Sequence, residues 1–392
     1  MEASAAPPPP GDAESTLPRI IELLGEVVAI PSVNPMQTGP RSGPGGEEAM
    51  AHWVADTATG LGAEVTLDEV EAGRPNVYAA FDGGFDTTTA VDIHLDTVGV
   101  EHMTDEPFDG RHEDGRVYGR GSVDTKATLA VLVALLEQEA AALATNLALV
   151  GTVSEEAGGL LGAYRLRDWA DERSLRFDRM IVAEPTSCIP VHGHKGGVGL
   201  EITVLGEAAH SSTPEEGTNA IEAAARIVAA FVEEQERLRR AEPSTPVGTG
   251  TLSVTEIEGG LARNIIPDRC RLYAGRRIAP GEDPATEFDR LRAMAVAAAA
   301  PVEIEVTMTY GRGSPAFYES PDSELVTLLA SLGGAPPATA GYGSNALVYP
   351  PIAAETVVFG PGSIDQAHKA VEWVETAELA RAAGVYREVL TS

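Results

Sequence analysis

Ala90-Val91-Asp92-Ile93-His94-Leu95-Asp96 is an apolar run of strand length that ends on an imidazole and a carboxylate, and its layout recurs along the chain. Glu155-Glu156 follow Leu147-Ala148-Leu149-Val150. Glu184 follows Met180-Ile181-Val182-Ala183, and His368 comes shortly after Thr356-Val357-Val358-Phe359. Asp124 stands at the start of the long helical segment between the first two runs. In an open α/β sheet, ligands bind beyond the carboxyl ends of the strands. Side chains spread over nearly three hundred residues are therefore expected to converge at one rim. Two histidines and several carboxylates gathered there form the donor set of a hydrolytic site with two divalent cations.

The surrounding pattern agrees with such a sheet. The spacing predicts a helix from about residue 14, through Ile20, Leu23, Leu24 and Val27, that stops at Pro31. A second helix is expected over 47–61, then strands at 63–67, 77–81 and 90–94, punctuated by Gly73, Pro75 and Gly83-Gly84. Residues 123–142 form an Ala-, Leu- and Val-rich helix buried on most sides. Strand and helix then alternate to about Cys188. This is the order of an α/β fold, a mostly parallel sheet sandwiched by helices. The pattern changes next, with strands at 197–204, 250–257, 269–276 and 302–308 and helices at 219–240 and 285–299. That β-α-β-β-α-β order is the split βαβ unit of a small ferredoxin-like α+β domain. The expected organisation is a disordered tail over 1–15, a catalytic domain over 16–192 and 312–392, and an inserted lid or dimerisation domain over 193–311.

Composition narrows the function classes. With 43% hydrophobic and 22% charged residues in 392, the chain reads as a soluble globular protein. Cys188 and Cys270 are its two cysteines, too few for a disulfide framework, which points to a reducing interior such as the cytoplasm. The first residues lack the basic start and apolar stretch of a signal peptide, and no apolar run is long enough to span a bilayer. A formal charge of −31, with Lys126, Lys195 and Lys369 the only lysines, argues against nucleic-acid or anionic-membrane partners.

Several residues carry chemistry. His94 is suited to bind a metal through one ring nitrogen while Asp96 fixes the ring. Asp124, in Gly119-Arg120-Gly121-Ser122-Val123-Asp124, is either a helix cap or a ligand. Adjacent carboxylates such as Glu155-Glu156 repel one another at a buried rim unless cations are present. One can ligate while its neighbour serves as general base. His192 and His194, flanking Gly193, read as hinge or surface residues rather than ligands.

The stretches HLD at 94–96, GRGSVDTK at 119–126, SEE at 154–156, AEPT at 183–186 and QAH at 366–368 resemble the zinc-dependent aminoacylase/carboxypeptidase family. That family includes acetylornithine deacetylase, succinyl-diaminopimelate desuccinylase and glutamate carboxypeptidase. The resemblance keeps the motif order, takes in the insert and covers the chain after about residue 15. It implies that Asp124 bridges two divalent metals, zinc before cobalt or manganese. His94 and Glu184 would complete one site, Glu156 and His368 the other. It further implies Glu155 as general base, Asp96 as the orienter of His94, and His210 as an oxyanion donor. Asn264 and Arg277 would bind the substrate carboxylate, with Arg276 on the other strand face. Gly343-Ser344-Asn345 departs from the Gly-Thr-Asp or Gly-Thr-Glu turn of relatives, which puts the substrate pocket in question.

The expected activity is metal-assisted hydrolysis of a small N-acyl amino acid by a homodimer formed through the insert. A dipeptidase or carboxypeptidase is the alternative, and a non-catalytic metal- or partner-binding relative a distant third.

Overall fold

The computed structural model describes residues 13–157 and 159–392, so the proline-rich part of the expected tail, residues 1–12, lies outside the described residues. Residues 13–15, assigned above to that tail, instead form the first turn of α1 (Ala13–Val28). Ile20, Leu23, Leu24 and Val27, spaced three and four apart, are all at most 1% exposed, and this stripe is what holds the helix against the body. In chain order follow α2 (Glu48–Gly60), β1 (Glu64–Glu71), β2 (Arg74–Phe81), β3 (Thr88–His94), α3 (Lys126–Glu139), β4 (Asn146–Thr152), α4 (Leu161–Glu172) and β5 (Phe177–Val182). The second half contributes β6 (Gly196–Leu205), α5 (Ala220–Arg239), β7 (Thr251–Gly259), β8 (Arg269–Ile278), α6 (Pro284–Ala299) and β9 (Glu303–Met308). It ends with α7 (Glu324–Gly333), β10 (Ala353–Val358) and α8 (Thr376–Thr391).

The chain divides into two compact units. The first comprises Met1–His192, Glu319–Ala338 and Ser344–Ser392; the second comprises Gly193–Tyr318 and Thr339–Gly343. The segment 193–311 lies within the second unit, which also takes in the residues up to Tyr318 and the short return at Thr339–Gly343.

In the first unit the sheet runs β1-β2-β4-β3-β5-β10. The central pairs β3–β4, β3–β5 and β5–β10 are parallel, whereas β1–β2 and β2–β4 are antiparallel. The sheet is thus parallel where its strands are covered and antiparallel toward that edge. β3 is buried from Thr89 to His94, the near-continuous burial expected of a strand covered on both faces. Helix α3 is buried at every position from Lys126 to Leu136. Its apolar side chains join those of α1 and α8 in one core, each Leu or Val worth about 1.5–3 kcal/mol on burial. The helix begins two residues after Asp124 and ends at Glu139, with 140–142 as a separate tight turn.

The second unit is a four-stranded antiparallel sheet in the order β7-β8-β6-β9. Leu200, Ile202 and Val204 alternate along β6 and face a cluster that includes Ile227 and Phe231 of α5 and Leu291 and Ala295 of α6. Period-two burial on strands and period-four burial on two helices produce the ferredoxin-like arrangement expected from the element order.

Candidate metal centre

Register brings the chemistry of the first unit to one level. His94, the last residue of β3, pairs with Thr152 at the end of β4, and Asp92 pairs with Val182 at the end of β5. Val358 at the end of β10 pairs with Val182 in turn. The loops carrying Glu155, Glu156, Glu184 and His368 therefore all leave the same rim. Asp124 arrives from the turn before α3. It is not the helix cap, a place taken by Thr125. Its carboxylate is turned instead toward two rings, 2.9 Å from His94 Nε2 and 3.3 Å from His368 Nε2. His368 Nε2 also lies 3.1 Å from the Glu156 carboxylate. Two donor sets result, His94–Asp124–Glu184 and Asp124–Glu156–His368, each with its ligand atoms within 4.8 Å of one another.

Asp96 acts differently from the expectation. The His94 Nδ1–H donates to the Asp96 backbone carbonyl at 2.9 Å, while the Asp96 carboxylate stands off at 3.7 Å. That carboxylate accepts the backbone N–H groups of Glu155 and Glu156, both at 3.0 Å, and an Asn34 amide N–H at 2.8 Å. Neighbouring donors in the loop are captured in the same way. Val153 N–H donates to Asn76 Oδ1 and Ser154 N–H to Glu47, whose carboxylate is held by Arg74. The Ala157 carbonyl accepts from Asn34 Nδ2 and Ser154 Oγ. The loop needs this support because Ser154 sits in the left-handed region at φ 69°, unfavourable for a residue with a Cβ. A Cβ at Gly162 would stand 2.4 Å from the Val153 carbonyl, so only glycine lets α4 approach the loop this closely. Asn34, Glu47 and Asn76 carried no sequence signal, because each works through a loop far away in the chain.

The electrostatics are those of a cation site. His94, Asp124 and Glu184 are 3–5% exposed. Burial, the like charge of Asp124 and that of Glu155 push the Glu184 carboxyl well above the usual range. Glu155 is raised by burial against the favourable charge of His94, and Glu156 by burial and by Asp124. Burial disfavours the His94 cation, but the hydrogen bond to Asp124 and the surrounding carboxylates outweigh it and raise its pKa. His368 is raised to about 10 by its bonds to Asp124 and Glu156. The two rings supply the positive charge that four crowded carboxylates demand.

Divalent metal fits these residues. Glu184 Oε1 is buried with no hydrogen-bond partner among the described residues, an oxygen whose desolvation none of them offsets. The Nδ1–H bond of His94 to the Asp96 carbonyl leaves Nε2 as the ring nitrogen that faces the cluster, the one that would exchange its proton for a cation. Imidazole and carboxylate donors together suit zinc and its first-row neighbours.

The remaining sequence candidates belong to neither donor set. Asn345, questioned as a pocket residue, is 1% exposed and points under the rim. It donates to Asp92 at 2.9 Å and to Thr152 at 3.0 Å, and Tyr349 donates to Asp92 at 2.7 Å. It therefore completes a buried network rather than a substrate pocket. His192 and His194, expected at a hinge or surface, flank the division of the chain into its two units and are buried rather than at the surface; burial holds His194 down to about 4. In the second unit, His210 is exposed and paired in an isolated bridge with Ile265, beside exposed Asn264, whose carbonyl accepts from Ser211. Arg276 is 1% exposed and bound by Glu282 and Glu287, whereas Arg277 is exposed. Alternation along β8 thus leaves Arg277 as the outward guanidinium.

All the residues of this rim fall within 90–392, the stretch that matches the model of peptidase family M20/M25/M40. The chain belongs to this family. It is 32% identical over 331 residues to acetylornithine deacetylase of Myxococcus xanthus, covering 81% of this chain and 84% of that relative. An M20 metallo-carboxypeptidase from Sulfolobus solfataricus shares the fold at a TM-score of 0.77 and 21% identity, over 95% of this chain and 98% of its own. So does a dinuclear metal-binding M20 peptidase from Bacillus subtilis, at 0.66 and 15% identity, over 96% and 98%. The M20 chain is accordingly a hydrolase of amide bonds. Among its described residues no helix is long and apolar enough to cross a membrane.

Proposed function

We propose that this M20 hydrolase removes the acyl group from a small N-acyl amino acid, using two divalent cations, zinc foremost, held by His94–Asp124–Glu184 and Asp124–Glu156–His368. One observation carries the reading: both donor sets are assembled from distant loops and share Asp124. Cations bound there would lower the pKa of water and polarise the amide carbonyl. Glu155 stands beside both sets and belongs to neither. As general base it takes the proton of the attacking water and returns it to the leaving amine. Asp96 holds the ring of His94 by its carbonyl and the backbone of both glutamates by its carboxylate.

From the second unit, His210 is assigned the oxyanion and Asn264 and Arg277 the substrate carboxylate, the bidentate task that suits a guanidinium. Their exposure, and the engagement of Arg276 with Glu282 and Glu287, support this choice. A second copy of the chain is the proposed occupant of the β7 edge, where Ile257 is 57% and Leu261 87% exposed. Sedimentation of a monomer at micromolar concentration would remove that part.

The test is metal analysis combined with hydrolysis of N-acetylornithine, N-succinyl-diaminopimelate and a dipeptide panel. The expected outcome is bound divalent metal and a kcat/KM for an N-acyl amino acid at least about tenfold above any dipeptide, a difference of about 1.4 kcal/mol. Faster turnover of dipeptides would establish instead the dipeptidase or carboxypeptidase reading, which the likeness to a metallo-carboxypeptidase favours. Bound metal without turnover of any amide would leave a binding protein.

A further inference from the structure

Arg120 and Glu372, 252 positions apart, form an ion pair in which both residues are 1% exposed. Neither belongs to the donor sets, yet each grips backbone that carries one. Glu372 Oε1 accepts the N–H of Gly121 at 2.9 Å and that of Val123 at 3.3 Å, in the turn that presents Asp124. The Glu372 carbonyl accepts the N–H of Gly119 at 3.0 Å. Arg120 pairs with Glu372 through Nη1 and donates through Nη2 to the carbonyls of Gly99 at 3.1 Å and Lys369 at 3.5 Å. Lys369 directly follows His368. That histidine is held at φ 61°, in the left-handed region, and its own carbonyl accepts from His102 Nε2 at 3.1 Å. A ligand with so unfavourable a backbone needs its surroundings to determine its place.

We infer that Arg120 and Glu372 are positioning residues that set the separation of Asp124 from His368, so that the Asp124–Glu156–His368 cation site depends on a pair that touches no cation. The inference rests on the proposed metal centre and deepens it. The Asp124 turn and the His368 loop share no strand of the main sheet. Beside the short pairing of Trp373–Glu375 with Arg116–Tyr118 and the bonds of His102 and Thr104 to the carbonyls of His368 and Ala370, this buried fork is the link that grips the Asp124 turn itself. The His94–Asp124–Glu184 site has its second anchor in β3 and the β5 loop, and is less exposed to loss of the fork.

The experiment titrates metal-free protein with Co2+ alone, read by calorimetry and by the visible absorption of the bound ion, alongside thermal unfolding. Wild type binding two ions upholds the centre itself; wild type binding none would sink that reading rather than this one. The double variant R120M/E372M removes both buried charges together, a replacement that often preserves or raises stability when the pair is merely structural. The expected result is a folded protein that keeps one tight Co2+ and loses about 10–100-fold in affinity for the other, the scale for outer residues that orient ligands. R120K, which keeps the charge but not the fork to Lys369, is expected to weaken the same ion and decides the matter if the double variant does not fold. Two ions bound with wild-type affinities in a folded variant would overturn the assignment.

Discussion

Glu155 and Asn345 show how one side chain is defined by the charges around it. Glu155 lies in a crowded carboxylate cluster but outside both donor sets. Glu155→Gln is therefore expected to retain metal while kcat falls by about 10²–10⁴-fold, the usual contribution of a general base. Metal analysis beside steady-state kinetics checks this, and undiminished kcat would transfer the role to another group. Asn345 donates to Asp92, a carboxylate that burial already holds above its ordinary range. Asn345→Asp would set two buried carboxylates together, so one must keep a proton that the unfolded chain releases above about pH 4. The folded variant then binds more protons than the unfolded chain, and its stability falls as pH rises. The expected deficit is about 3 kcal/mol at neutral pH, shrinking toward pH 4. Equal melting of variant and wild type at pH 7 would contradict the placement. The sequence showed that position 345 departs from relatives but not where its side chain points, because Asp92 and Thr152 lie 253 and 193 residues away.

At the scale of elements, the loop after β4 is held by three acceptors and one donor drawn from four other places in the chain. Asp96, Glu47 and Asn76 accept from its backbone and Asn34 donates to it, and its glutamates are precise only if those partners are. Asp96→Ala leaves the carbonyl that orients His94 but strands two backbone N–H groups, each costing about 1–3 kcal/mol when buried and unmet. Cation affinity at the site containing Glu156 is expected to fall about 10–100-fold, with a smaller change at the site containing His94. Equal loss at both, measured by metal titration, would return Asp96 to the simple role of fixing the imidazole. The apolar runs made the strands legible, and the polar residues after them made the rim legible. Asp96, two residues from His94, suggested a side-chain contact with that ring. The pleat and the loop's approach sent its carboxylate elsewhere.

For the whole molecule, the crowded carboxylates make metal a structural partner as well as a chemical one. Removing it with a chelator is expected to lower the melting temperature, and a free concentration about a hundredfold above Kd to restore about 2.7 kcal/mol. Unchanged melting on removal would argue against a resident ion. Acid acts through a separate group in the second unit. Burial holds His194 down to about 4 from an ordinary 6.5. Between those values the unfolded chain binds the extra proton, so stability is complete above pH 6.5 and declines as pH falls toward 4, by about 3 kcal/mol in all. His194→Gln should flatten that acid limb; an unaltered slope would assign it to other groups. By itself the sequence determined the alternation of elements, the ferredoxin-like order of the second unit, and the side chains delivered to the strand ends, since periodicity and local order are written residue by residue. Only the tertiary structure decided that Arg120 meets Glu372, that Asn345 turns to Asp92, and that Arg276 is enclosed while Arg277 is not. Those outcomes depend on which distant backbone arrives beside a buried charge, and no local pattern encodes the arrival.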